Sequence, residues 1–142
     1  MFKYFLDTFR VNYFRFSGRV GRKEFWSFQL FNLFAFFFIA IGGNFLAWGN
    51  IDNIFFSYIP SVVYFLFAII PSLAISVRRL HDTNRSGALI LIGLIPLIGA
   101  ITLVLLYCMT GDKGPNEYGF DPKNPHMIDE LEIGSIGENL IQ

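Results

Sequence analysis

Three long stretches without a charged residue constrain this chain more than any other feature. FWSFQLFNLFAFFFIAIGGNFLAW runs from Phe25 to Trp48, FFSYIPSVVYFLFAIIPSLAISV from Phe55 to Val77, and ALILIGLIPLIGAITLVLLYCM from Ala88 to Met109. Each is close to the ~20 residues that a helix needs to cross a hydrocarbon core of roughly 30 Å. In the first, Trp26 and Trp48 are separated by about 33 Å of helix, which sets an indole at each interface. A chain of 142 residues, 54% hydrophobic and with 18 phenylalanines, fits a globular core poorly. A cleaved signal peptide is the rival for the first stretch, but the run is too long for an h-region and no A-x-A site follows it.

These runs predict an all-α membrane protein with three transmembrane helices, at about 25–48, 55–77 and 88–109, in one membrane domain over residues 25–109. Residues 1–24 form a basic segment in which Phe2, Phe5, Leu6, Phe9, Tyr13 and Phe16 recur at spacings of three and four. That pattern predicts an amphipathic helix lying in the membrane interface with its aromatic face down. Gly18 and Gly21 then turn the chain into the first span. Residues 110–142 read as a polar acidic tail, turn-rich in GDKGPNEYGFDPKNP. Pro60 and Pro71 in the second run need hydroxyls, neighbours or local distortion to satisfy the carbonyls they free, and a kink near Pro71 is expected. Gln29, Asn32 and Asn44 are suited to hydrogen bonds between helices.

The formal net charge is zero, but the charge is segregated. Lys3, Arg10, Arg15, Arg19, Arg22 and Lys23 face only Asp7 in the first 23 residues. After Gly111 there are two lysines against Asp112, Glu117, Asp121, Asp129, Glu130, Glu132 and Glu138. The loop from Arg78 to Ser86 carries three arginines, and the linker from Gly49 to Ile54 carries no basic residue. The positive-inside rule therefore puts the amino terminus and the arginine loop in the cytoplasm, and three crossings put the carboxyl terminus in the periplasm or outside. A second topology stays open, because Gly93, Pro96 and Gly99 could let the third run dip and return. GDKGPNEYGFDP would then lie beside the arginines, where Asp112, Glu117 or Asp121 could pair with Arg78 or Arg79 in a closed polar site. The length of the run and the charge bias favour the crossing.

The loop SVRRLHDTNRSG concentrates the polar chemistry. Its structural role is to pin topology: Arg78 and Arg79 complement a helix carboxyl end and snorkel to phosphates, and Asp82, Thr83, Asn84 or Ser86 caps the next helix. A sharper reading groups Arg78, Arg79 and Arg85 with Arg19, Arg22 and Lys23 as one anion site for lipid headgroups or a phosphorylated ligand, since guanidinium forks suit phosphate oxygens. His81 and Asp82 complete an interfacial polar cluster, but neighbours in sequence point in different directions and catalytic pairs need a defined hydrogen bond. Ser86 has no nucleophile-elbow pattern around it. Asp112, Asn116, Glu117 and Asp121 depart from calcium-loop spacing, and Cys108 with two histidines makes no zinc cluster, so no metal is expected. No nucleotide or dinucleotide motif is present, no cofactor is expected, and basic residues beside apolar spans do not suit nucleic acid.

FSGRVGRKEFW, PSLAISVRRLHDTNRSG, LIPLIG and GDKGPNEYGFDP together resemble domain-of-unknown-function family 805, the YhaH/YhaI-like small bacterial inner-membrane proteins, from about Phe14 to Pro122. Ala88 departs from the aromatic residue common in the family after SG. The resemblance implies a bacterial inner-membrane, multi-pass protein and no assigned reaction. The expected function is that of a non-catalytic membrane protein binding anionic lipid, or else a membrane-protein partner or a second copy of the chain. The alternative is a subunit of a small oligomeric transporter or channel, resting on Pro60, Pro71, Pro96 and the in-span asparagines.

Overall fold

The computed structural model describes residues 2–46 and 54–124. They form α1 (Phe2–Arg10), α2 (Arg22–Leu46), α3 (Ile54–His81), a 3-10 helix η1 (Gly87–Leu94) and α4 (Ile98–Cys108). Among the described residues there is no β-strand, and the extended pairing is a single bridge between Asn116 and Gly119. Trp48, the first linker and the acidic stretch from Pro125 onward lie outside the described residues. The chain divides into two compact units, Met1–Phe16 with Lys23–Ser76, and Ser17–Arg22 with Val77–Gln142.

In the first unit, α2 and α3 are the two helices long and apolar enough to cross a membrane. Their 25 and 28 residues rise about 37 and 42 Å. Only 17% of the most apolar stretch of α2 and 33% of that of α3 is buried, whereas a core helix of a soluble domain is buried over most of its length. Phe34, Phe37, Phe38 and Ile41 on α2, with Val62, Val63 and Leu66 on α3, are exposed. The contact face of α3 is made of small residues: Ser57, Ser61 and Ala68 are buried at helical spacing. At one end Gly43 lets the α2 backbone approach the Ser57 carbonyl so closely that a Cβ would overlap it. Nearer the middle, the Tyr64 hydroxyl donates to the Asn32 amide oxygen at 2.7 Å, so Asn32 serves helix packing as expected. Asn44 instead donates to the Ala40 carbonyl of its own helix.

The aromatic face of α1 meets the long helices. Phe5 packs on Phe28 and Phe31, Phe9 packs on Phe28 and stacks on Phe67 at 5.4 Å, and Tyr13 just beyond the helix packs on Phe67. At these positions the aromatic face of α1 packs on rings from α2 and α3, and Phe5, Phe9 and Tyr13 remain half-buried. Each pair contributes about 0.5–1.5 kcal/mol beyond its burial. Tyr13 also resolves the proline problem: Pro71 has no N–H for the Phe67 carbonyl, and the Tyr13 hydroxyl donates to that carbonyl at 2.7 Å. The helix continues through both prolines.

In the second unit, α3 ends in a Schellman turn. Asn84 adopts the left-handed conformation (φ 52°), its N–H bonds the His81 carbonyl, and the Arg85 N–H bonds the Leu80 carbonyl. Ser86 then caps η1, accepting from the Ala88 N–H.

The third apolar run is not one helix. It is η1, a bend at Ile95–Leu97, and α4, with the arms close enough that a Cβ on Gly99 would overlap the Ile92 carbonyl. Pro96 cannot donate into a helix, Leu97 takes a positive φ of 65°, and Gly93 and Gly99 permit the close approach. The run therefore ends where it began: the Asp112 N–H bonds the Asp82 carbonyl at 2.8 Å. The single long helix expected over 88–109 is therefore corrected to two short ones, neither of them among the helices long and apolar enough to cross a membrane.

Candidate functional site

The polar centre of the second unit is built on Asp82, three residues after Arg79 at the end of α3 and therefore on the same helical face. Its carboxylate is 3% exposed and is shared by two guanidinium groups, Arg79 through Nη1 and Arg19 through Nε at 3.1 Å. The Arg79 and Arg19 side chains are 0% and 1% exposed. A buried charge needs both a counter-charge and filled hydrogen-bond positions, and backbone carbonyls supply the second requirement.

Arg79 donates from Nε to the Tyr107 carbonyl at 3.1 Å, from Nη2 to Met109 and from Nη1 to Val20. Arg19 donates to the carbonyls of Gly114 at 2.6 Å, Gly119 at 3.3 Å, Asp82 and Asp112. Arg22 reaches the Cys108 carbonyl at 3.4 Å. The last carbonyls of a helix have no intrahelical partner and carry partial negative charge, so Arg79 and Arg22 act as side-chain caps for α4. Gly111 passes so close to the Asp82 carboxylate that a Cβ there would collide with it.

His81 turns to a different set of partners. Its ring stacks on Tyr118 at 3.9 Å with planes 6° apart, and its Nδ1 lies 3.3 Å from the Gly18 carbonyl. Asn116 ties the same residue from the backbone side, donating from Nδ2 to the His81 carbonyl at 2.9 Å and accepting from the Tyr118 N–H. Asp121 is buried in its own turn, where it accepts from the N–H groups of Gly114 and Lys123.

Of the residues singled out in sequence, Arg19, Arg22, Arg79, His81 and Asp82 come together here. Arg78 is buried at 4% exposure, and its carbonyl accepts from the Val20 N–H. Arg85 is half-buried on the turn, Arg22 is exposed, and Lys23 is exposed in the other unit. The closed polar site considered for a returning third run does form, but its acceptors are Asp82 and main-chain carbonyls; Asp112 contributes its backbone and Asp121 serves its own turn. Sequence reasoning missed Tyr118 and Gly111, and weighed Asn116 only as a calcium ligand. The useful signal was the i, i+3 spacing of Arg79 and Asp82. Among the described residues no three His, Cys, Asp or Glu side chains cluster as a metal site would require.

Residues 13–120, which contain the Asp82 and His81 networks, match the family described as a protein of unknown function, DUF805. The chain belongs to this family. Relatives with curated names include inner membrane protein YhaI of Escherichia coli strain K12, 43% identical over 114 residues that cover 79% of this chain and 89% of that protein. Inner membrane protein YhaH of the same organism is 37% identical over 112 residues, 79% of this chain and 90% of its own length. No solved structure matches. The family carries no assigned reaction, so the chemistry of the site has to be argued from the groups just described.

Proposed function

We propose that this chain is an integral protein of the bacterial inner membrane that crosses with α2 and α3 and binds anionic lipid headgroups without catalysing a reaction. The names of the two relatives and the exposed apolar surfaces of both long helices support the location. The excess of basic residues before α2 and after α3 supports an amino terminus in the cytoplasm. The contact between Asp112 and Asp82 supports a cytoplasmic position for residues 110–124 as well.

One observation carries the lipid reading. The donors of Arg79 and Arg19 are spent on Asp82 and on carbonyls, so these two arginines hold the fold together, and the excess charge is offered by Arg22, Lys23 and Arg85 at the surface. Such cations near an anionic leaflet contribute about 1 kcal/mol each. The engagement of Asp82 with arginines and of His81 with Tyr118 and Gly18 supports a non-catalytic role, because neither group activates the other. The transport alternative loses support from Asn32, whose amide oxygen is occupied by Tyr64.

The triple variant Arg22→Gln, Lys23→Gln, Arg85→Gln, purified in mild detergent, should retain roughly a hundredfold less phosphatidylglycerol or cardiolipin by native mass spectrometry, the sum of three such contacts. Unchanged lipid in a variant that still inserts and melts as the wild type does would remove the proposal.

A further inference from the structure

We infer that the η1–α4 hairpin is a re-entrant wedge that inserts into the cytoplasmic leaflet and turns back near the bilayer midplane, its surface covered by acyl chains. The inference rests on the membrane reading above and adds a second mode of lipid contact to it.

Four independent features point to lipid as the occupant. The first is reach: η1 has 8 residues and α4 has 11, which at about 2.0 and 1.5 Å per residue gives two arms of roughly 16 Å each, half of a ~30 Å hydrocarbon core. The second is the gradient of chemistry along the hairpin. The base is polar, with Ser86 capping η1 and Arg79 and Arg22 on the final carbonyls of α4. The tip exposes Leu94, Leu97 and Ile98 by 67–79% and has no charged residue anywhere from Ala88 to Met109. An apolar tip of this kind held in water would be an aggregation site.

The third feature is the backbone of the bend. Irregular chain at membrane depth is tolerated only when its polar groups are satisfied internally. Most of the bend's N–H groups are bonded within the hairpin, Ile95 to Ile92, Ile98 to Pro96, Gly99 to Ile95 and Ile101 to Leu97, and Pro96 has no N–H to satisfy. α4 also starts at Leu97 without a side-chain cap, where a helix beginning in water favours Ser, Thr, Asp or Asn. The fourth is charge at the base: Arg22 on the Cys108 carbonyl and Arg85 just before Ser86 stand at the level that phosphates occupy if the tip is immersed.

Spin labels on single cysteines at Leu97, Asn84, Lys123 and Phe38, placed in a Cys108→Ser background and reconstituted in phosphatidylglycerol-containing vesicles, test the inference through their accessibility to oxygen and to a water-soluble nickel chelate. A label at Leu97 should be reached by oxygen and shielded from nickel at a depth of about 15 Å. Labels at Asn84 and Lys123 should be open to nickel, and an impermeant maleimide should modify both cysteines from the same side. Nickel access at Leu97 with Phe38 still shielded would place the hairpin in water and overturn the inference alone. A Leu97 label hidden from both reagents would mean that protein, such as a second copy, covers the tip, and would also overturn it. Nickel access at Phe38 would overturn the membrane reading itself. Modification of Asn84 and Lys123 from opposite sides would exclude the hairpin in the membrane.

Discussion

Asp82 is the residue on which the second unit depends most, because two buried guanidinium groups share its carboxylate. Asp82→Asn keeps the shape and removes the charge, leaving Arg79 and Arg19 buried without their counter-ion. Breaking a buried pair from one side costs about 3–5 kcal/mol. Thermal melting in detergent should therefore show a large loss for Asp82→Asn, while Glu117→Gln, at an exposed position, should stay within about 0.5 kcal/mol of wild type. Equal melting of the two variants would mean that the carbonyls alone hold the arginines.

At the scale of elements, α3 remains helical through Pro71 because another element supplies the missing donor. Tyr13→Phe keeps the ring packing on Phe67 and deletes only the hydroxyl that bonds the freed carbonyl. The expected cost is about 1 kcal/mol, the usual net contribution of one intramolecular hydrogen bond. In a comparison of melts, Tyr13→Phe should lose stability while the same change at the exposed Tyr58, which faces outward from α3, should not. The two helices themselves were legible from their uncharged length. The docking of α1 was only half legible: the spacing of Phe5, Phe9 and Tyr13 shows an aromatic face, but a spacing pattern cannot distinguish a face that meets acyl chains from one that meets Phe28, Phe31 and Phe67. Both surroundings are apolar.

At the scale of the whole molecule, the chain order and the spatial units do not coincide: the short segment Ser17–Arg22 joins the unit that begins at Val77, far away in sequence. Arg19 reaches Asp82 across 63 positions and Gly119 across 100, which no local pattern can announce. The sequence by itself determined that α2 and α3 are long apolar helices, that the polar chemistry concentrates around SVRRLHDTNRSG, and that Gly93, Pro96 and Gly99 weaken the third run. These are consequences of side-chain hydropathy and local backbone preference, which act over a few residues. Only the tertiary structure decided that the third run folds back, because a stretch of apolar residues satisfies one long helix and two short ones equally well. The choice lies at its ends, where the carbonyls of Tyr107, Cys108 and Met109 are left unbonded by α4 and find Arg79 and Arg22, and where Gly111 is small enough to pass beside Asp82.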